Sequence, residues 1–289
     1  MTVISPLLQG LCDDAALFPP GNAPLADAVP AHAAYRRADY AELVGPFIFP
    51  APRLGELADH LSGDSSLSLS LTVPTGPADT AAALASAVEL PGVRVVAVEV
   101  GTPPGVDAAE AFAELARIRS TYPDIEIFVE VPRDDRRGDY LAALTAAGYS
   151  AKFRTGGIVA EAYPDEDELA DAIIFVVRAG IPFKATAGLH HAVRNTDPET
   201  GFEQHGFLNI LTAVTVAAAG GERSDVVAAL AERNESKIAS ALSDVTNDAA
   251  VDVRRRFLSF GTCSITDPLT ELESLGLISV GPKTEGTLV

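Results

Sequence analysis

The feature of this sequence that most limits its fold is a repeated order of short apolar runs and longer helical segments. Runs rich in Val, Ile, Leu and Phe alternate with Ala/Leu/Glu segments of helical period, and Gly or Pro follows each run within a few residues. A strand–helix–strand repeat of this kind places parallel strands beside one another. Eight strands are predicted, at residues 15–18, 46–49, 67–73, 93–100, 125–131, 151–154, 182–186 and 257–262.

The predicted helices lie between these strands. They cover residues 25–43, 53–61, 79–90, 108–121, 139–147 and 165–178. Asp107 and Asp165 are predicted helix N-caps, and Gly148 and Gly180 are predicted helix ends. The alternative, an open doubly wound sheet, is disfavoured because no strand is followed by G-x-G-x-x-G. We therefore predict a (β/α)8 TIM barrel, an α/β fold, formed by a single domain over residues 1–289.

One connection departs from this regular spacing. Residues 189–256, between the seventh and eighth strands, are too many for one helix and a short loop. Long loops in compact domains usually carry function. We expect this elongated connection to contribute to the site.

The charge balance limits the partners of the chain. Its 21 Lys+Arg and 40 Asp+Glu give a net charge of −19, which repels nucleic acids and acidic membranes. The longest nearly apolar stretch, residues 207–219, is too short to cross a bilayer. The first twenty residues lack the basic start and apolar run of a signal peptide. We predict a cytoplasmic protein whose partner is a small molecule rather than a nucleic acid or a membrane.

Lysine is scarce in this chain, and its positions are informative. Of the four lysines, Lys237 and Lys283 are predicted to lie on the surface, whereas Lys152 and Lys184 interrupt apolar strands. Lysine in such a run has no ordinary packing role. Because alternate residues near the carboxyl end of a barrel strand face the mouth, the two amines are predicted to converge there.

Two other strands offer a carboxylate at the same end. Alternation places Glu99 on one face with Val95 and Ala97, and places Glu130 on one face with Phe128. We expect both carboxylates to point inward and to serve as acid/base groups.

Two confined ammonium groups repel each other, and burial disfavours their charge further. At least one of them is therefore expected to have a lowered pKa and to act as a nucleophile that forms a Schiff base with a carbonyl. In the alternative interpretation, Lys152 and Lys184 pair with Glu99 and Glu130 as a structural layer of charge.

The segments KFRTGG at residues 152–157 and FKATAGL at residues 183–189 resemble the sixth and seventh strands of deoxyribose-phosphate aldolase and related class I aldolases. The resemblance covers only these two strands. It implies that Lys152 forms the Schiff base and that Lys184 tunes its pKa. Arg154 departs from the family, which has a small hydroxyl residue there. The family's catalytic aspartate is not matched, and Glu99 or Glu130 is the expected substitute.

The residues after the sixth strand suggest an anion site. Glycine-rich loops expose backbone N–H groups, and a guanidinium binds phosphate or carboxylate with two hydrogen bonds. An ordinary tight turn with a salt-bridged arginine is the alternative. The predicted substrate-binding residues at these two strand ends are Arg154, Thr155, Gly156, Gly157 and Thr186.

Three of the five histidines lie in the elongated connection. His190 or His191 is predicted to act as a general acid/base, and Arg194 to hold an anion. His205 and Asn209 are predicted to position the substrate, and a polar surface loop is the close alternative for His205. In an alternative, the histidines join Glu99 and Glu130 in binding a divalent metal. H-E-x-x-H is absent.

Other residues near the strand ends carry weaker signals. Asp13 and Asp14 either line the mouth or form a rigid entry turn, and the turn is favoured. Cys263 would need a basic partner to act as a nucleophile, so packing is favoured for it. His32 and His60 are predicted to be surface residues.

The leading prediction is therefore an aldolase-like lyase that acts on a small anionic carbonyl metabolite through a lysine Schiff base, without a cofactor. Two alternatives remain. One is a lyase or isomerase that depends on a divalent metal ion and uses the histidine loop. The other is a non-catalytic barrel that binds a metabolite or a partner protein.

Overall fold

The computed structural model describes residues 4–61 and 66–279. Eight parallel strands close into a barrel in the order β1-β10-β7-β6-β5-β4-β3-β2, and two short antiparallel strands, β8 and β9, form a separate hairpin. The strands are β1 (Cys12–Asp14), β2 (Val44–Pro50), β3 (Leu67–Val73), β4 (Val93–Val100), β5 (Glu126–Glu130), β6 (Ser150–Arg154), β7 (Phe183–Thr186), β8 (Asn195–Thr196), β9 (Glu203–Gln204) and β10 (Phe257–Thr262).

Helices follow the barrel strands and cover the outside of the barrel. They are α1 (Leu25–Tyr35), α2 (Leu54–Leu57), α3 (Pro77–Val88), α4 (Ala108–Thr121), α5 (Arg137–Ala147), α6 (Glu166–Ala179), α7 (Phe207–Ala218), α8 (Arg223–Ala231), α9 (Glu235–Ser243), α10 (Asn247–Arg256) and α11 (Thr266–Ser274). Short 3-10 helices lie at Ala41–Leu43, Ala51–Arg53, Ala58–His60 and Ala160–Ala162. The prediction of a (β/α)8 barrel is confirmed.

Local signals explain why several elements start and stop where they do. The side chain of Asp107 accepts a hydrogen bond from the backbone N–H of Glu110 in the first turn of α4. In the same way, Asp165 accepts from the backbone N–H of Glu168 in the first turn of α6. Gly148 and Gly180 end α5 and α6 in the left-handed conformation that glycine adopts readily. These four predictions are confirmed.

The first strand was predicted at residues 15–18, and this placement is wrong. Strand β1 is Cys12–Asp14, and both of its aspartates are buried. Buried carboxylates need partners from elsewhere in the fold. Asp13 contacts Lys184, and Asp14 lies 3.0 Å from Nδ1 of His32. His32 is therefore buried and paired, which corrects its prediction as a surface residue.

Strand β4 contains a register shift that changes which residues face inward. Leu69 pairs with Val95, but the next residue, Ser70, pairs with Ala97. Because Leu69 and Ser70 point to opposite faces of β3, Val95 and Ala97 do as well. The expectation that Val95 shares a face with Glu99 is wrong. Glu99 itself points inward, as its contacts below show.

The elongated connection is built around a buried helix. After the β8–β9 hairpin, α7 packs against the barrel, and its Phe207 stacks on Phe260 of β10 with ring centroids 4.6 Å apart. Helices α8, α9 and α10 complete the connection before β10. Within residues 4–61 and 66–279, the helices are all too short or too polar to cross a membrane.

Candidate active site inside the barrel

Neighbouring barrel strands bring a set of charged side chains together in the interior. The register pairs Glu130 with Lys152, Lys152 with Lys184, and Lys184 with Ser259. Residues paired in register point to the same face of a sheet, so the two lysines lie beside each other, as predicted. Glu99 reaches the same group from β4 across the barrel.

Lys184 lies at the centre of this group and is completely enclosed. Its Nζ donates to Oδ2 of Asp13 and to Oε1 of Glu99, both at 2.6 Å, and lies 5.2 Å from the centre of the Phe128 ring. Burial alone would lower the pKa of Lys184, but Asp13 and Glu99 outweigh it and raise the pKa above its usual value. The expected lowered pKa is therefore wrong for Lys184, which stays an ammonium.

Glu99 stands between the two lysines. Its Oε1 accepts from Lys184 and, at 2.9 Å, from the hydroxyl of Ser70, while its Oε2 lies 3.3 Å from Nζ of Lys152. Burial would raise the pKa of Glu99, but the two lysines and Ser70 together lower it to about 2. Glu99 is thus an anion that screens one ammonium from the other, so the repulsion expected between Lys152 and Lys184 is largely cancelled.

Lys152 lies closer to solvent than Lys184. Its side chain is 11% exposed, against 1% for Lys184. Its Nζ lies 3.2 Å from Oε2 of Glu130, whose side chain is 25% exposed. Of the five charged groups in the interior, Lys152 and Glu130 are the two that solvent reaches, whereas Asp13, Glu99 and Lys184 are at most 3% exposed.

Asp13 is the functional candidate that the sequence analysis placed wrongly. It is buried and bonded to Lys184 and, at 2.6 Å, to the hydroxyl of Ser259, while its Oδ1 has no hydrogen-bond partner among the described residues. Burial raises the pKa of Asp13 more than Lys184 and Ser259 lower it. A Cβ at residue 45 would lie 2.0 Å from Oδ1, so a side chain there would displace the Asp13 carboxylate. In the sequence, the signal for this buried carboxylate was the pair of adjacent aspartates that follows an apolar run.

The strand ends above Lys152 and Lys184 are tied together by backbone contacts. Thr155 is fully buried, and its hydroxyl donates to the carbonyl of Ala187 at 2.7 Å. A Cβ at Gly156 would lie 2.6 Å from Cα of Gly188, and one at Gly157 would lie 2.7 Å from the Ala162 methyl group. Thr155 and the two glycines therefore hold the rim together, which is the tight turn considered above.

Arg154 is exposed at this rim. Its Nε donates to the carbonyl of Gly156 at 3.0 Å, and it has no carboxylate partner among the described residues. It follows Lys152 by two residues on β6, and its register partner is Thr186. Its side chain also lines a small groove together with Arg133, Arg137 and Glu168.

The histidines of the elongated connection do not form one site. Nδ1 of His190 lies 3.6 Å from Sγ of Cys263, whereas Nδ1 of His191 lies 2.7 Å from Oε1 of Glu271 on α11. His205 is buried, with Nε2 2.8 Å from the carbonyl of Pro164. The three histidines of the elongated connection thus contact three different parts of the fold.

Arg194 and Asn209 have structural partners, which corrects their expected roles as substrate contacts. Arg194 is 8% exposed and lies 2.9 Å from Glu166 and 3.2 Å from Glu203, so its charge is already balanced. Asn209 is fully buried, accepts from the backbone N–H of Arg194 at 2.7 Å and donates to the carbonyls of Ala229 and Glu232. His205 also lies 3.2 Å from Arg194. Arg194 and His205 thus tie the loop to the start of α6, and Asn209 of α7 ties it to α8.

No group of three His, Cys, Asp or Glu side chains within residues 4–61 and 66–279 is arranged to hold a metal ion. In particular, His190 and His191 contact Cys263 and Glu271 rather than the two glutamates. The metal interpretation of Glu99, Glu130 and the histidine pair therefore has no geometric support. Lys237 is exposed, as predicted, and Lys283 lies outside the described residues.

The fold and this interior define a (β/α)8 barrel with a charged centre. No protein-family model and no curated protein sequence matches this chain. Among solved structures, it is similar to dihydropteroate synthase of Xanthomonas albilineans in complex with indole-2-carboxylic acid and 6-chloroguanine, at 14% identity over 93% of each chain and a TM-score of 0.40. The same enzyme with 4-aminobenzoic acid gives 14% identity, 94% and 92% coverage and a TM-score of 0.39.

At these values the likeness says nothing about function, and the barrel is seen directly in the strand order. The comparisons do not show the resemblance to deoxyribose-phosphate aldolase, which stays a prediction.

Proposed function

We propose that this chain is a single-domain, aldolase-like lyase that acts on a small anionic carbonyl metabolite through a Schiff base on Lys152. The observation that carries the proposal is the difference between the two interior amines. Lys184 is enclosed by two carboxylates, whereas Lys152 reaches solvent beside Glu130. A metabolite entering the mouth therefore meets the amine of Lys152 first.

The chemistry requires Lys152 to lose a proton before it attacks. The amine then adds to the carbonyl carbon, and loss of water leaves an iminium that draws electrons from the neighbouring C–C bond. Glu130 is the better acceptor for the proton, because Glu99 is buried and its pKa is held at about 2. Glu130 can exchange the proton with solvent.

The other interior residues position this pair. Lys184, Asp13, Ser70 and Ser259 hold Glu99 in one orientation, so its Oε2 stays 3.3 Å from Nζ of Lys152. Lys184 is thus a positioning residue in this proposal, rather than a repelling charge. Arg154, at the rim above Lys152, is the contact for the anionic group of the substrate.

Borohydride trapping tests the proposal. The protein is incubated with pyruvate, acetaldehyde or glyceraldehyde 3-phosphate, reduced with borohydride and mapped by peptide mass spectrometry. We expect a reduced adduct on Lys152 with at least one probe, and no adduct in Lys152→Met. Lys237→Met is the matched control and should keep the adduct. The small number of lysines makes the assignment unambiguous.

A second variant tests the anion contact. Arg154→Gln should reduce trapping of the two anionic probes and leave trapping of acetaldehyde unchanged. Modification of exposed Lys237 at the same rate as Lys152, or no adduct with any probe, would count against the Schiff-base chemistry and favour a non-catalytic barrel.

A further inference from the structure

A second reactive group lies at the same rim, outside the lysine network. Cys263 directly follows β10, and His190 lies four residues after β7, so both sit where barrel strands end. Sγ of Cys263 lies 3.6 Å from Nδ1 of His190, and both side chains are half-buried. The basic partner that a nucleophilic cysteine needs is therefore present.

We propose that Cys263 and His190 form a nucleophilic thiol–imidazole pair that adds to the carbonyl carbon of small aldehydes at the barrel mouth. This inference does not rest on the Schiff-base chemistry of Lys152. Neither residue touches the network of Asp13, Glu99 and Lys184 in the described structure.

The protonation states fit a pair that is neutral at rest. Burial raises the pKa of the Cys263 thiol, although hydrogen bonds from the backbone of Gly21 and of Cys263 itself act in the opposite direction. Burial, together with His191, lowers the pKa of His190. A neutral thiol therefore faces a neutral imidazole whose Nδ1 accepts its proton.

Gly21 completes the surroundings of the sulfur. A Cβ at residue 21 would lie 3.0 Å from Cβ of Cys263, so a side chain there would crowd this cysteine. Nucleophile and base thus meet at one point of the rim, with the backbone of Gly21 packed against Cys263.

The addition balances without a further reactant. The S–H proton passes to Nδ1 of His190 as the sulfur forms a bond to the aldehyde carbon. The electron pair of the C=O π bond moves to the oxygen, which takes the proton back from the imidazole. The product is a thiohemiacetal, and the reverse path releases the aldehyde.

The test compares alkylation of the two cysteines by iodoacetamide, followed by peptide mass spectrometry. Cys12 is fully buried and serves as an internal control, because it becomes labelled only when the barrel unfolds. We expect His190→Gln to slow alkylation of Cys263 by about 10²-fold, the low end of what a general base contributes. His60→Gln is the matched control, since His60 ends the 3-10 helix before β3 and is not a contact of Cys263 or His190 in the described structure, and it should leave the rate unchanged.

Equal rates in the wild type and in folded His190→Gln would overturn the pairing. If Cys12 becomes labelled in that variant, His190→Asn replaces it in the same comparison, with the same two outcomes.

Acetaldehyde then tests the chemical class. It should slow alkylation of Cys263 to the same extent in the wild type and in Lys152→Met, and its removal should restore the rate. An absence of protection would refute aldehyde addition. Protection confined to the wild type would refute it as well, because it would come from an adduct on Lys152 that blocks the mouth.

Discussion

Replacing Lys184 by methionine tests the charged centre of the barrel. The substitution keeps most of the side-chain volume but removes the ammonium that bonds Asp13 and Glu99 at 2.6 Å each. Removing one partner of a buried ion pair costs about 3–5 kcal/mol, because an uncompensated charge remains. We expect Lys184→Met to lower the free energy of unfolding at pH 7 by an amount in this range. Urea denaturation followed by far-UV circular dichroism measures it.

The pH dependence sharpens this test. In the wild type, lowering the Glu99 pKa from 4.5 to about 2 corresponds to about 3 kcal/mol of stability, which is present above pH 4.5 and lost as the pH falls toward 2. In Lys184→Met, Asp13 and Glu99 are buried without that cation, so their folded pKa values rise. When folding raises the pKa of a carboxyl, the folded protein becomes less stable as the pH increases, because the buried group then has to ionise. The deficit of the variant should therefore be smaller at pH 5 than at pH 8.

Lys237→Met is the control for this experiment. Its side chain is 69% exposed, so the change should stay within about 0.5 kcal/mol. A deficit below about 1 kcal/mol for Lys184→Met, or the same deficit at pH 5 and pH 8, would refute a charged Lys184 held between two carboxylates.

Three further predictions concern the rim and the histidine loop. Asn209→Ala leaves a backbone N–H and two carbonyls without their side-chain partner and should cost about 2–4 kcal/mol in urea denaturation; a loss below that range would mean that water replaces the amide. Gly156→Ala places a methyl group 2.6 Å from Gly188 and should cost about 1–3 kcal/mol, whereas Gly138→Ala, with open space around it, should not destabilise; equal effects would contradict the close contact. Burial lowers the pKa of His205, so the unfolded chain binds a proton at a higher pH than the folded chain does, and the free energy of unfolding should fall as the pH drops from 7 to 5. His205→Gln should reduce this dependence of stability on pH. An unchanged dependence in the variant would exclude His205 as its source.

The barrel itself could be predicted from local patterns, because strand and helix periods are properties of short segments. Strands β3, β4 and β10 and helix α4 have their predicted bounds. Strand β1 could not be predicted in this way. Its sequence, Cys-Asp-Asp, resembles a turn until the partners of the two carboxylates are known, which are Lys184, far along the chain, and His32.

The candidate site shows the same division between local and distant information. Alternation along β6 and β7 is local, and it correctly brought Lys152 and Lys184 together. The position of Glu99 between them depends on contacts between residues far apart in the sequence. This carboxylate offsets the repulsion from which a lowered lysine pKa was predicted. Likewise, the side chains of Arg194 and Asn209 resemble substrate contacts in sequence, but their partners on other elements give them structural roles.

Because Glu99 offsets the repulsion between the lysines, the proposed activation of Lys152 requires a proton acceptor. Two carboxylates lie within reach, Glu99 at 3.3 Å and Glu130 at 3.2 Å. Glu99 is 2% exposed and is already bonded to Lys184 and Ser70, so it cannot exchange a proton readily with water. Glu130 lies within reach of Lys152 and is 25% exposed, so it can both accept the proton and exchange it with water.

The two glutamates can therefore be separated by variants. Glu130→Gln should slow borohydride trapping at Lys152 by about 10²-fold, the scale of general base catalysis. It should change the free energy of unfolding by less than about 1 kcal/mol, because the pair is partly exposed. Glu99→Gln should instead lower stability, since it leaves Lys184 with one carboxylate instead of two. Trapping at the wild-type rate in Glu130→Gln would show that the proton leaves Lys152 by another route.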